Sequence, residues 1–277
     1  SCTPYKNEPW LNVYVRDMNA DVTTTASTDA NGSFVYDFTY VYPFGYQLKG
    51  TSYQPALSGN GRYVVFWSLQ DLVPGQSRSY GMNYFRKDLV TGGVTVVDRS
   101  SNITLGPSGY GLPSVSTDGR FVQFEAREAG YYYNSYTGTR TYVRDMNGES
   151  VTRVSVGQQY ASETSSGNVT GRCLSDDGNQ SLYSTVFAQD PGDRNGLQDA
   201  YWFDSGTGER ELAEREYRRA TGNRGSYAPS IDGSGRYVNF MSMATDVYSS
   251  NKYYSYGYSY FEEESYVRDL SEHKTVG

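Results

Sequence analysis

PSVSTDGRFVQF, running from Pro113 to Phe124, returns three more times in the chain. The other copies are PALSGNGRYVVF from Pro55 to Phe66, RCLSDDGNQSLY from Arg172 to Tyr183 and PSIDGSGRYVNF from Pro229 to Phe240. Aligned on the turn glycines Gly61, Gly119, Gly178 and Gly235, they stand 58, 59 and 57 residues apart. A second phrase follows each copy (FRKDLVTGG, YVRDMNGES, YWFDSGTGE and YVRDLSEHK) and carries Asp88, Asp145, Asp204 and Asp269. A fifth version, YVRDMNADV with Asp17, stands near the start with no glycine phrase before it. Self-similarity at a fixed period of this size marks a repeat architecture, in which one unit cannot bury its apolar face alone and neighbours must stack.

Within a unit, Pro-x-apolar-Ser reads as a short strand entering a turn. Arg62 to Trp67 then reads as a second strand, rich in β-branched and aromatic residues. A loop from Gln70 to Met82 leads to a third strand near Tyr84 to Asp88, and a turn at Val90 to Gly93 leads to a fourth from Val94 to Asp98. Four up-and-down strands in nearly sixty residues is the pattern of a propeller blade. The expected fold is therefore all-β, a β-propeller of four-stranded antiparallel blades. Residues 1–10 read as a tail and 11–277 as one domain, with units near 11–54, 55–112, 113–171, 172–228 and 229–277. The first unit is atypical, because Leu11 to Ser27 supplies only the outer half of a blade. Its inner strands come from Ser33 to Tyr42 folding back, from another chain, or from residues upstream; the first choice gives five blades.

Composition narrows the function classes. Net charge is -7, which disfavours nucleic acid as a partner, since phosphate binding needs a basic footprint. No apolar run approaches the roughly 18 residues that a membrane helix needs. Tyrosine (29) and glycine (30) are heavily used, which suits short strands and many turns. The two cysteines, Cys2 and Cys173, are either free thiols or a disulfide, and their separation gives no metal-ligand spacing. Asn31, Asn102, Asn168 and Asn179 stand in glycosylation sequons, which permit modification without demonstrating it. A secreted or cell-surface location is the expectation, helped by a start at Ser1-Cys2 that suits a processed chain.

The phrase Ser-x-Asp-Gly-Arg-aromatic-apolar-x-Phe, followed by Tyr-Val-x-Asp-x-x-Gly and a Thr/Val-rich strand, resembles the repeats of TolB-like (WD40-like) β-propellers. Bacterial secreted members often carry Leu-Val-Pro-Gly-Asp-x-Asn-Gly-x-x-Asp between the second and third strands. Here Leu72 to Gly75 matches in one unit and Gly192 to Asp199 in another. The resemblance covers Leu11 to Ser27 and Pro55 to Thr275, and it implies fold more strongly than activity, because propellers host unrelated functions.

The recurring Asp17, Asp88, Asp145, Asp204 and Asp269 are expected to be turn residues, since an active-site group is needed once and a turn residue in every unit. The lone histidine, His273, removes histidine-based triads and most zinc sites. Asp193, Asn195 and Asp199, with Asp190 near, form the only run with metal-ligand character. Gly196 permits a tight loop, so the choice is Ca2+ or a self-capped polar turn. Tyrosines crowd two loops: Tyr131, Tyr132, Tyr133 and Tyr136 in one unit, and Tyr253, Tyr254, Tyr256, Tyr258 and Tyr260 in another. Tyrosine gives contact area at low entropic cost, so these loops are expected interfaces.

The functional expectation is a non-enzymatic extracellular or cell-surface module, a structural or self-assembling subunit of a filament or surface layer. Its expected partners are further copies of itself or another surface protein, with glycans as a further class and neither nucleic acid nor a membrane span. A lectin-like carbohydrate-binding propeller and a two-carboxylate propeller glycosidase are the alternatives.

Overall fold

The computed structural model describes residues 11–35, 37–41, 45–75, 83–99, 105–108, 111–128, 140–155, 172–214, 224–244, 247 and 264–277. Every regular element among them is a β-strand. A hairpin comes first, β1 (Tyr14–Asp17) against β2 (Val22–Thr25). A second hairpin pairs β3 (Asp37–Val41) with β4 (Gly45–Lys49). The run expected to complete the first unit therefore pairs with its own neighbour in sequence instead of with β1. Closing a short loop between adjacent segments costs less chain entropy than returning to a distant strand.

The repeats follow as antiparallel sheets. The first full sheet is β5 (Ser52–Leu57), β6 (Tyr63–Ser68), β7 (Asn83–Asp88) and β8 (Val94–Val96), in that order. The second takes β9 (Leu105–Ser108), β10 (Ser114–Val115), β11 (Phe121–Glu128), β12 (Arg140–Asp145) and β13 (Val151–Arg153); β9 and β10 both pair with β11. The third has β14 (Gln180–Thr185), β15 (Asp199–Asp204) and β16 (Arg210–Leu212), and its inner strand is reduced to a single bridge from Leu174 to Ser181. That is the repeat whose first phrase, RCLSDDGNQSLY, departs most from the others. The fourth is β17 (Ser226–Ile231), β18 (Tyr237–Ser242), β19 (Glu264–Asp269) and β20 (Lys274–Val276). The chain is an all-β propeller fold built from such sheets.

The apolar core lies between successive sheets. Val13 and Ala26 of the first hairpin pack with Val64, Phe66, Phe85 and Val96 of the first sheet. Val65, Trp67 and Tyr84 meet Val122, Phe124 and Tyr142 of the second. Val143 and Val154 meet Tyr183, Tyr201 and Phe203 of the third, and Leu182 and Ala200 meet Val238, Phe240 and Tyr266 of the fourth. Each sheet thus has a backward face towards the preceding unit and a forward face towards the next.

The turn glycine is fixed by this stacking as well as by its turn. Gly119 has φ +76, and a Cβ there would stand 2.1 Å from the ring of Tyr63 in the sheet behind it. Gly178 lies against Phe121 and Gly235 against Gln180 in the same way, whereas Gly61 has nothing within 4 Å. Among the described residues the hairpin behind Gly61 has no inner strand to press on it.

Candidate functional site

The repeated carboxylates are used up by the fold. Asp88 accepts backbone N–H groups of Val90 and Thr91, Asp145 that of Asn147, Asp204 those of Gly206 and Thr207, and Asp269 those of Ser271 and Glu272. Arg62, Arg120 and Arg236 of the glycine phrase pair with Asp88, Asp145 and Asp269, and hold all three below the usual carboxylate range. Asp17 caps its turn through Asn19 and Ala20. The three Arg–Asp pairs tie second strand to third.

A different position in the same phrase builds the joints between sheets. One residue before each repeated Asp stand Lys87, Arg144, Phe203 and Arg268, all buried on the backward face. Lys87 Nζ reaches back to the carbonyls of Thr28 (3.3 Å) and Asp29 (2.6 Å). Arg144 Nη1 donates to the carbonyls of Val96 and Val97, each at 3.0 Å, and to that of Arg99. Arg268 Nη2 pairs with Glu211 Oε1 at 2.9 Å. In the third sheet, where Phe203 takes the place, Arg210 does this work by donating to Val154 O. Burial lowers the pKa of Lys87 and of Arg144, as desolvated cations require.

Two faces lack such cover. On the backward face of the first hairpin, Tyr14 is 57% exposed; its counterpart Tyr142 is 0% exposed. Arg16, the counterpart of Arg144, turns to Thr23 Oγ1 and Asp21 in its own hairpin. On the forward face of the last sheet, Tyr237 is 42% and Val267 39% exposed, and Asn239 and Val276 are also exposed. The positions matching Asn239 in the other sheets, Val65, Gln123 and Leu182, are buried, and Val143, which matches Val267, is 8% exposed. Among the described residues these two faces expose positions that the other sheets bury.

The acidic loop lies at the edge of the third sheet. Asp190 caps Gly192 N (2.6 Å), and its carbonyl accepts from Asp193 N. Asn195 accepts from Leu197 N through Oδ1 and donates Nδ2 to Asp199 Oδ1 at 3.1 Å. The Tyr201 hydroxyl donates to Asp193 Oδ2 and accepts from Gln189 N. The expected calcium ligands therefore share one loop, with several of their oxygens turned to protein donors. Among the described residues no group of three or more His, Cys, Asp or Glu side chains is placed to hold a metal ion.

A partner that sequence reading missed stands behind this loop. Asp199 and Glu214, both fully buried, interact in the register where Asn12 meets Ser27 in the first hairpin. Burial pushes the Asp199 carboxyl up to about 6, with the charge of Asp193 adding to it and hydrogen bonds from Glu214 and Asn195 opposing it. The signal was available: aligned on the repeated Asp, the column Asn12, Asn83, Arg140, Asp199 and Glu264 contains two acids, and strand register sets the first of them opposite the acid Glu214.

The remaining expected sites fall as follows. Cys173 is a buried thiol that donates to Pro229 O at 3.3 Å, and burial pushes it up to about 12. Its expected disulfide partner, Cys2, lies outside the described residues. So do Tyr131, Tyr132, Tyr133, Tyr136, Tyr253, Tyr254, Tyr256, Tyr258 and Tyr260, together with Asn102 and Asn168. Asn31 and Asn179 are exposed in turns.

No family model and no curated protein matches the chain. Solved structures do, at low identity. TolB from Acinetobacter baumannii is 14% identical with a TM-score of 0.48, over 95% of this chain and 47% of that one. An oligogalacturonate lyase from Vibrio parahaemolyticus is 12% identical with a TM-score of 0.47, over 97% and 59%. A puromycin-hydrolyzing peptidase from Mycobacterium tuberculosis is 12% identical with a TM-score of 0.45, over 83% and 29%. The chain spans less than two thirds of each. Because a lyase and a peptidase stand among these neighbours, the expectation that the chain is not an enzyme is withdrawn. What the likeness carries is the fold, and the chain is similar to TolB and to other propeller proteins in that respect.

Proposed function

We propose that the chain is a β-propeller interaction module that binds protein partners through its two uncovered end faces, further copies of itself among them. One observation carries this reading: the tyrosine of the phrase YVRD is buried at Tyr142 and Tyr266, each with a described sheet behind it, and bare at Tyr14, which has none among the described residues. An apolar face shaped for stacking and left in water is a contact site more often than an accident. The tyrosine-rich loops would extend such contacts. Sedimentation velocity from low to high micromolar concentration tests the proposal, with hydroxyl-radical footprinting of Tyr14 and Tyr237. Association should grow with concentration, and both tyrosines should become protected together with it. A monomer whose two tyrosines react at full rate at every concentration would refute the reading.

A further inference from the structure

We infer that the occupant of the last sheet's forward face is the β1–β2 hairpin of a second copy, joined head to tail by the rule that joins sheets inside the chain. The inference rests on the reading just given and names its partner and polarity. Three internal joints state the rule. An aromatic three residues before the repeated Asp is buried on the backward face: Phe85, Tyr142 and Tyr266. A cation one residue before it reaches the last strand of the preceding unit or the segment just beyond: Lys87, Arg144 and Arg268. The preceding sheet answers with apolar groups on its second and third strands.

The first hairpin holds the donor half of this rule, Tyr14 and Arg16, and nothing in the described structure receives it. The last sheet holds the acceptor half, Tyr237, Asn239 and Val267 with the edge of β20, and none of the described residues covers it. By register (Phe85 opposite Val96 in one sheet, Val267 opposite Val276 in the other), Gly277 stands in the last sheet where Val96 stands in the first. The carbonyl at Gly277 is therefore the one that Arg16 would take, as Arg144 takes that of Val96.

In this structure the hairpin of the same chain leaves its backward face bare and does not meet the last sheet's exposed positions. It is held on the first sheet by Lys87, by Ser52 N–H donating to Leu11 O at 2.8 Å, and by the apolar patch around Val13. Both end faces stay exposed in that arrangement. A joint between two different faces is heterologous: it leaves one face of each kind free and extends until its rotation closes.

Polarity makes the test specific. Arg16→Glu damages only the donor face and Val267→Asp only the acceptor face, and both positions are exposed, so each variant should melt like the parent chain. Each alone should stay monomeric, with its association weakened at least about tenfold, the order expected for an uncompensated charge in a joint. An equimolar mixture should form a two-copy species and nothing larger, because one intact donor meets one intact acceptor. Arg16→Lys should keep association, since Lys87 serves the same purpose inside the chain. If wild-type protein associates while the mixture stays monomeric, or if either variant assembles unaided, the head-to-tail joint is wrong and the broader reading survives. If the wild type stays monomeric throughout, both fall.

Discussion

The hexapeptide YVRDMN occurs twice, as Tyr14 to Asn19 and as Tyr142 to Asn147. Locally the two copies are alike. Val13 N–H donates to Ser27 Oγ and Thr141 N–H to Ser155 Oγ, both at 3.0 Å, and Asp17 and Asp145 cap the same turn. Beyond the hairpin they part. Tyr142 stacks on Phe124 with ring centroids 5.9 Å apart, and Arg144 threads into the carbonyls of the sheet behind it. Tyr14 and Arg16 meet solvent. The hairpin conformation is thus written in the six residues and their turn, whereas burial is written in whatever stands next in the stack. A repeat protein carries the same side chain as core in one place and as surface in another, and the difference marks where stacking stops.

The largest effect expected from this comparison is at a covered joint. Arg268 and Glu211 are both buried and paired across two sheets. Arg268→Met leaves the Glu211 carboxylate buried without its cation, which should cost about 3 kcal/mol, the low end of what breaking a buried pair costs. Urea denaturation reads this directly, and the companion change Glu211→Gln in the same chain should recover much of it. A single variant within experimental error of wild type would mean that the joints are looser than the hydrogen bonds say.

How far such joints can be read from sequence differs between parts of the molecule. The period of the glycine phrase and the alternation in Arg62 to Trp67 lead to strands and sheets, because turn chemistry and the two-residue strand period are local properties. The repeated Asp is legible for the same reason. What escapes is everything set by contact between units. Glu214 lies fifteen residues from Asp199 in sequence, and only the β15–β16 pairing brings them together. The strand partner of Ser33 to Tyr42 differs from the expected one because alternation says that a run is a strand and is silent about its neighbour. One uncovered face is legible as an incomplete blade at Leu11 to Ser27, but its mate at Tyr237 and Val267 looks like any other copy of the phrase.

A middle-sized effect separates the same register in two units. The first hairpin places an amide against a hydroxyl, with Ser27 Oγ donating to Asn12 Oδ1 at 3.1 Å; the third sheet places two carboxyls there. Burial disfavours the charged form of Asp199 and the charge of Asp193 adds to that, while the hydrogen bonds from Glu214 and Asn195 oppose it only in part. The folded value for Asp199, about 6, stands above its ordinary 3.8. The native state therefore binds the proton more tightly than the unfolded chain does. This contribution is complete below about pH 4 and is lost as the pH rises through 6. The melting temperature should fall between mildly acidic and neutral pH, by an amount equivalent to about 2 kcal/mol. Asp199→Asn, which restores the residue found at Asn12 and Asn83, should flatten that slope and raise stability at neutral pH. The slope must come from this cluster (Asp199, Glu214 and Asp193, beside Asn195 and Tyr201), so an unchanged slope in the variant would place the proton elsewhere.

The smallest effect is the most informative about the bare face. Arg16 occupies the repeat position of Arg144 and Arg268, but its partners, Thr23 and Asp21, belong to its own exposed hairpin, and Asp21 sits at φ 57 in the turn. An exposed ion pair gives little net stability, because water screens it and ordering two side chains costs entropy. Arg16→Met should therefore leave the unfolding free energy of the dilute monomer within about 0.5 kcal/mol of wild type. The same substitution at Arg268 breaks a buried pair. Measuring both in one denaturation series, at a concentration too low for association, turns a difference in exposure into a difference in energy. A large loss at Arg16 under those conditions would mean that the hairpin is already covered within the chain. The two copies of YVRDMN would then have the same fate, and the face at Tyr14 would be closed to any second copy.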